Sequence, residues 1–204
     1  MSQPPSLLSR LFGKGAEAPD GLRAPESGAS NAAPRLRVLM VCMGNICRSP
    51  TAEAVLRQRL ERAGLADRVE VDSAGTHAHH IGNPPDERSR EAGERRGYRL
   101  AHLRARKVAQ SDYADFDLLL AMDWDNLALL EEACPSDLRR RLRRLTEFIS
   151  TQHDLAGAAV VPDPYYGGPA GFEHVLDLVE AACDGLVEHL RVRLSQLPPG
   201  SPAP

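Results

Sequence analysis

One short segment concentrates residue types suited to nucleophilic chemistry on an anion. It reads Val41-Cys42-Met43-Gly44-Asn45-Ile46-Cys47-Arg48-Ser49-Pro50, a cysteine followed five residues later by Arg-Ser. An apolar run ends at Cys42, and Pro50 fits the first turn of a helix, where its missing N–H costs nothing. A loop wound between a strand and a helix turns its backbone N–H groups into an anion-binding concavity, and the helix N-terminus adds positive partial charge. Gly44 and Asn45 are residue types that tolerate the left-handed backbone such a loop needs. Arg48 offers a planar fork matching two oxygens of a tetrahedral anion. That field favours the thiolate of Cys42 and makes it a nucleophile, and the Ser49 hydroxyl can donate to the sulfur.

The elements around the segment alternate. Residues 36–42 read as a buried strand, followed by a helix from about 49 whose inner face is Ala52, Val55, Leu56, Leu60 and Ala63, stopped by Gly64. A second strand is expected at 69–73 and a charged surface helix over 84–97. A third strand at 117–122 precedes a helix over 123–133, and a weaker fourth strand is expected at 143–148. Phe172, Val175, Leu176, Val179, Cys183, Leu186, Val187 and Leu190 recur at helical spacing and predict a long amphipathic helix over 171–194. Strands alternating with helices predict a parallel sheet covered on both faces, with ligands beyond the carboxyl ends of the strands. Residues 1–35, rich in Pro, Gly, Ala and Ser, lack the periodicity to bury a core and are predicted to be a disordered extension. Within them 6–12 form a small amphipathic patch, and residues 197–204 read as a loose tail.

A second motif, Asp163-Pro164-Tyr165-Tyr166, lies more than a hundred residues after the cysteine loop. Taken alone, Asp163 reads as a turn residue before proline. Taken with the cysteine loop, the pair resembles the low-molecular-weight protein tyrosine phosphatases, over about 37–193. The resemblance implies a three-layer α/β/α fold with a four-stranded parallel sheet, spanning 36–196, and a phosphate loop after the first strand. It implies that Cys42 forms a cysteinyl-phosphate intermediate, that Arg48 and the loop from Met43 to Ser49 hold the phosphate, and that Asp163 is the general acid and then base. It assigns Tyr165 and Tyr166 to the walls of the cleft, and Asn45, Ser73 and His102 to a polar network bracing the loop. Cys47 matches the family's second cysteine, which traps oxidised nucleophile as a reversible disulfide. His77, His79 and His80 could suggest a metal, but no cysteine or carboxylate stands at ligand spacing. Relatives carry an aromatic near His79 on the cleft rim, so these histidines are assigned to the rim. No cofactor and no metal is implied.

Two other activities occur on related scaffolds. An arsenate reductase needs a cysteine relay near the second crossover, and residues 76–110 contain no cysteine. Phosphoarginine phosphatases commonly have threonine where Ile46 stands, so the apolar Ile46 favours phosphotyrosine. The expected partner is therefore a tyrosine-phosphorylated protein, in bacteria including tyrosine kinases.

Composition narrows the remaining classes. The 204 residues carry 25 Lys+Arg against 28 Asp+Glu, a net charge of −3, which gives no electrostatic footprint for nucleic acid. No apolar run reaches the roughly 18 residues of a membrane span, and residues 6–12 are too interrupted for a secretory signal. Four scattered cysteines do not make a disulfide framework. A reducing, cytoplasmic setting follows as the expectation.

Overall fold

The structure, a computed structural model, describes residues 35–197. The expected disordered extension, its amphipathic patch and nearly all of the C-terminal tail lie outside those residues. Four parallel strands, β1 (Leu36–Cys42), β2 (Val69–Gly75), β3 (Leu118–Ala121) and β4 (Leu142–Arg144), form one sheet in the order β2-β1-β3-β4. Five α-helices accompany them: α1 (Arg48–Arg62), α2 (Glu87–Arg95), α3 (Asp112–Asp115), α4 (Trp124–Ala133) and α5 (Pro169–Gln196). The architecture is the expected three-layer α/β/α fold.

The central strand shows why. β1 is apolar on successive residues because a strand paired on both sides and covered on both faces has no wet surface. Its side chains divide by parity. Val38, Met40 and Cys42 join the core under α1 and α5, whereas Leu39 and Val41 join the core with Tyr113, Phe116 and Leu130 on the opposite face. The stripe expected on the last helix is buried as predicted, Cys183 included. Asp123 caps α4 through its side chain, accepting from the Asn126 amide at 2.7 Å. Gly64, at φ +69°, and Gly97, at φ +83°, lie just past α1 and α2 in the left-handed conformation.

One expectation needs correction. The fourth strand is only Leu142–Arg144, and Leu145–Phe148 turns into a 3-10 helix. The Glu147 carboxylate accepts from the Arg144 backbone N–H at 2.9 Å, which folds the chain back before it can extend. That turn docks on α5 so closely that a Cβ at Gly185 would stand 1.9 Å from the Phe148 carbonyl oxygen. On the other side, Arg96 just past α2 makes ion pairs with Glu173, Asp177 and Glu180 of α5. These contacts seat α2 beside the long helix and so fix what α2 presents to the carboxyl end of the sheet.

Candidate active site

The loop between β1 and α1 closes round the Cys42 sulfur. Sγ receives the Asn45 backbone N–H at 3.3 Å and lies 3.1 Å from the Ser49 hydroxyl. Asn45 is the single non-glycine residue with positive φ among the described residues, at +55°, the left-handed turn expected of it. Its side chain is used at both ends. Oδ1 accepts from the Arg106 backbone N–H at 2.9 Å, while Nδ2 donates to the Ser49 and Ser73 hydroxyls, each at 2.9 Å. The Ser73 hydroxyl in turn donates to Glu53 Oε2 at 2.6 Å. Since Asn45 occupies a lone pair of Ser49 Oγ, the serine proton is left for Cys42 Sγ or the Ala74 carbonyl, 3.2 Å away.

Glycine at the end of β2 lets this loop pass. A Cβ on Gly75 would lie 2.7 Å from the Met43 carbonyl oxygen and 3.1 Å from the Asn45 nitrogen, both backbone atoms that cannot rotate away. The Thr76 and His77 amides then bond the Cys42 and Met43 carbonyls, tying the loop to the chain that leaves β2.

Arg48 is 2% exposed yet lines the cleft. Its Nη1 donates to Asp123 Oδ2 at 2.5 Å and to the Val161 carbonyl at 3.2 Å, and its Nη2 donates to Asp163 Oδ2 at 2.8 Å. Burial works against its charge, but Cys42, Asp123 and Asp163 outweigh burial and hold the guanidinium more firmly protonated than usual. Asp163 also accepts the Tyr165 amide on Oδ1 at 3.0 Å, the turn geometry expected of an Asp before proline. The acid-bearing segment enters the site because Val161 N bonds the Met122 carbonyl at the end of β3.

Cys42, Met43, Gly44, Ile46, Cys47, Arg48, His79, His80, Asp163, Tyr165 and Tyr166 line a single cleft of about 310 Å³. Tyr165 and Tyr166 meet edge to face at 5.0 Å, and Tyr166 is 97% exposed. His79 and His80 stand on the rim, with His77 stacked on His79 at 5.5 Å. Among the described residues no group of three or more metal-ligating side chains converges. Cys47 is buried, and burial pushes its thiol up to about 12.

His102 is not part of the brace. It sits exposed on a turn closed by Leu103 N to the Leu100 carbonyl, with buried Leu100 anchoring the chain beside it. The place the sequence reading gave to a histidine is filled by the Arg106 backbone N–H and by Glu53. The sequence does not single out Glu53 or Asp123 either. Glu53 is 2% exposed, and burial raises its carboxyl above the ordinary range despite the Ser73 hydrogen bond and the Arg57 ion pair. The available signal was a charged residue falling on the buried half of α1, four residues after Ser49 and four before Arg57.

Residues 37–196 match the family described as low molecular weight phosphotyrosine protein phosphatase. The chain is 46% identical over 156 residues to a low molecular weight protein-tyrosine-phosphatase of Streptomyces coelicolor, covering 76% of this chain and 93% of that protein. It is 37% identical over 151 residues to the human low molecular weight phosphotyrosine protein phosphatase, covering 74% of this chain and 93% of that protein. The crystal structure of a protein tyrosine phosphatase from Entamoeba histolytica superposes with a TM-score of 0.73 at 39% identity, over 78% of this chain and 98% of that one.

Proposed function

The chain belongs to the low molecular weight phosphotyrosine protein phosphatase family, and on that premise we propose that it hydrolyses phosphotyrosine in proteins with Cys42, Arg48 and Asp163 as its catalytic residues. Cys42 Sγ attacks phosphorus in line, the S–P bond forming as the P–O bond to the aryl oxygen breaks. Asp163 delivers its proton to that oxygen, which would otherwise leave as a phenolate whose conjugate acid has a pKa of about 10. Arg48, exchanging its Nη2 contact with Asp163 for the phosphate when substrate enters, and the loop amides hold the equatorial oxygens as charge develops on them. Asp163, now a carboxylate, takes a proton from the water that attacks phosphorus, and the thiolate is regenerated with Ser49 as its donor.

The observation that carries this reading is convergence. A sulfur at the end of β1, a guanidinium at the start of α1 and a carboxylate 121 positions beyond the sulfur face one cleft. Tyr165 and Tyr166 supply aromatic walls for a planar aryl group. Ile46 lines the same cleft and gives an apolar floor suited to an aryl ester rather than to a guanidino phosphate. The substrate is therefore a tyrosine-phosphorylated protein, in a bacterial cell including a tyrosine kinase, and a nucleophilic thiol that must stay free suits a reducing, cytoplasmic setting. Among the described residues no helix is long and apolar enough to cross a membrane.

The test is hydrolysis of p-nitrophenyl phosphate with a chelator present, comparing the wild type with Cys42→Ser. The substitution should lower turnover by about 10⁴-fold or more while the chelator leaves the wild type unaffected. Equal activity of the two proteins overturns the mechanism.

A further inference from the structure

The Arg88 side chain holds the segment that carries Asp163. We propose that Arg88, on the first turn of α2, is a positioning residue that sets where Asp163 presents its proton. This rests on the reading of Asp163 as the general acid.

Arg88 is used as only an arginine can be. Nε donates to Asp86 Oδ1 at 3.0 Å and Nη2 to Asp86 Oδ2 at 2.9 Å, a bidentate pair that fixes the plane of the guanidinium. Nη1, on the other arm of the fork, donates to the Tyr165 carbonyl at 3.0 Å and reaches the Gly167 carbonyl at 3.5 Å. Those carbonyls lie two and four residues past Asp163, in a segment whose own closing bond is Gly167 N to the Pro164 carbonyl. The guanidinium carbon also stands 4.7 Å from the centre of the Phe172 ring and 5.5 Å from that of Tyr165.

The same residue is anchored to the phosphate loop. The Asp86 backbone N–H donates to the Ile46 carbonyl at 2.8 Å, so the support of Arg88 and the cradle of the substrate are one hydrogen-bonded unit. From Ile46 through Asp86 and Arg88 to Tyr165, an unbroken run of contacts reaches the residue whose amide holds Asp163 Oδ1. Side chains 40% and 43% exposed, those of Arg88 and Asp163, are thereby placed relative to the buried loop. A lysine at position 88 offers a point charge without a fork and cannot chelate Asp86 while reaching Tyr165.

A positioning role differs from a structural one in how it depends on the leaving group. The measured quantity is kcat/KM, which reports formation of the cysteinyl phosphate, for phenyl phosphate and for dinitrophenyl phosphate, whose leaving group departs without a proton. Asp163→Ala should lose about 10²-fold or more on phenyl phosphate and only a few-fold on the dinitrophenyl ester. Arg88→Ala and Arg88→Lys should show the same bias in smaller measure, about 10-fold on phenyl phosphate and less than about 2-fold on the dinitrophenyl ester. Equal losses on the two esters, or no loss on either, overturn the role of Arg88. If Asp163→Ala itself loses both esters equally, the general-acid reading fails, and the assignment of Arg88 falls with it.

Discussion

The two halves of the site are built by opposite means. The loop from Cys42 to Ser49 is buried except at Met43 and half-buried Gly44, wound round a sulfur and braced from beneath by Asn45, Ser73, Glu53 and the Arg106 backbone. The segment from Asp163 to Gly168 lies at the surface, with Tyr166 almost wholly exposed, and is steadied by the guanidinium groups of Arg48 and Arg88. An oxyanion cradle must not reorganise while charge develops, so the polar side chains that brace it are hydrogen-bonded in advance. A carboxyl that gives a proton in one step and takes one in the next has to serve two oxygens in different places. Exposed, charge-assisted hydrogen bonds to a loop permit that adjustment at a small cost in stability. Burial is concentrated where charge appears, and exposure where protons move.

This contrast separates rate from stability and can be broken by mutation. After Cys42→Ser, the largest effect is expected from Asp163→Ala, which should lower kcat/KM for an aryl phosphate with a basic leaving group by about 10²–10⁴-fold. Its melting temperature should stay near that of the wild type, because the acid loop contributes little to the core. A large loss of stability, followed by thermal denaturation, would contradict the division. Asn45→Gly comes next. It keeps the left-handed turn but removes the amide that aligns Ser49 and Ser73, so it should cost about 10–100-fold in rate together with about 1–3 kcal/mol of stability. Urea unfolding and turnover measured on one preparation would show whether both move.

A pH experiment probes the brace more finely. Burial raises the folded pKa of Glu53 above its ordinary value of 4.5. As pH rises, the unfolded chain therefore loses this proton before the folded one does, and wild-type stability falls through the window just above 4.5. Glu53→Gln, which keeps an acceptor for the Ser73 hydroxyl, should flatten that part of the curve in urea titrations at successive pH values. An identical slope in both proteins would remove Glu53 from the account. The smallest effect belongs to Tyr166→Ala. An exposed cleft wall should raise KM by less than about 5-fold, leaving kcat intact and stability within about 0.5 kcal/mol. A collapse of kcat would show that the outer loop is as tightly built as the inner one.

Legibility in the sequence followed contiguity. Ten adjacent residues carry the cysteine, the arginine and the serine of the proposed site, and their spacing alone fixes a strand-to-helix turn, so they could be read directly. The strands β1 and β3 and the helix α5 were equally legible, because burial on both faces or on one stripe writes itself as an apolar pattern. The end of β4 was not, since one Glu147 carboxylate decides it by capping a turn. His102 misled because a histidine in the right neighbourhood resembles a network member, yet a single turn at Leu100–Leu103 carries it to the surface. Glu53, Asp123 and Arg88 look in the sequence like ordinary helix charges.

The chain of amino acids by itself determined the chemistry: a thiol set among amides and beside a guanidinium has few other uses, and local backbone geometry is a property of neighbours. Only the folded structure decided which distant polar groups would satisfy that loop and hold the acid opposite it. Hydrogen bonds between elements dozens of residues apart depend on how helices lie across a sheet, and a few ångströms of packing leave no periodic trace in the order of residues.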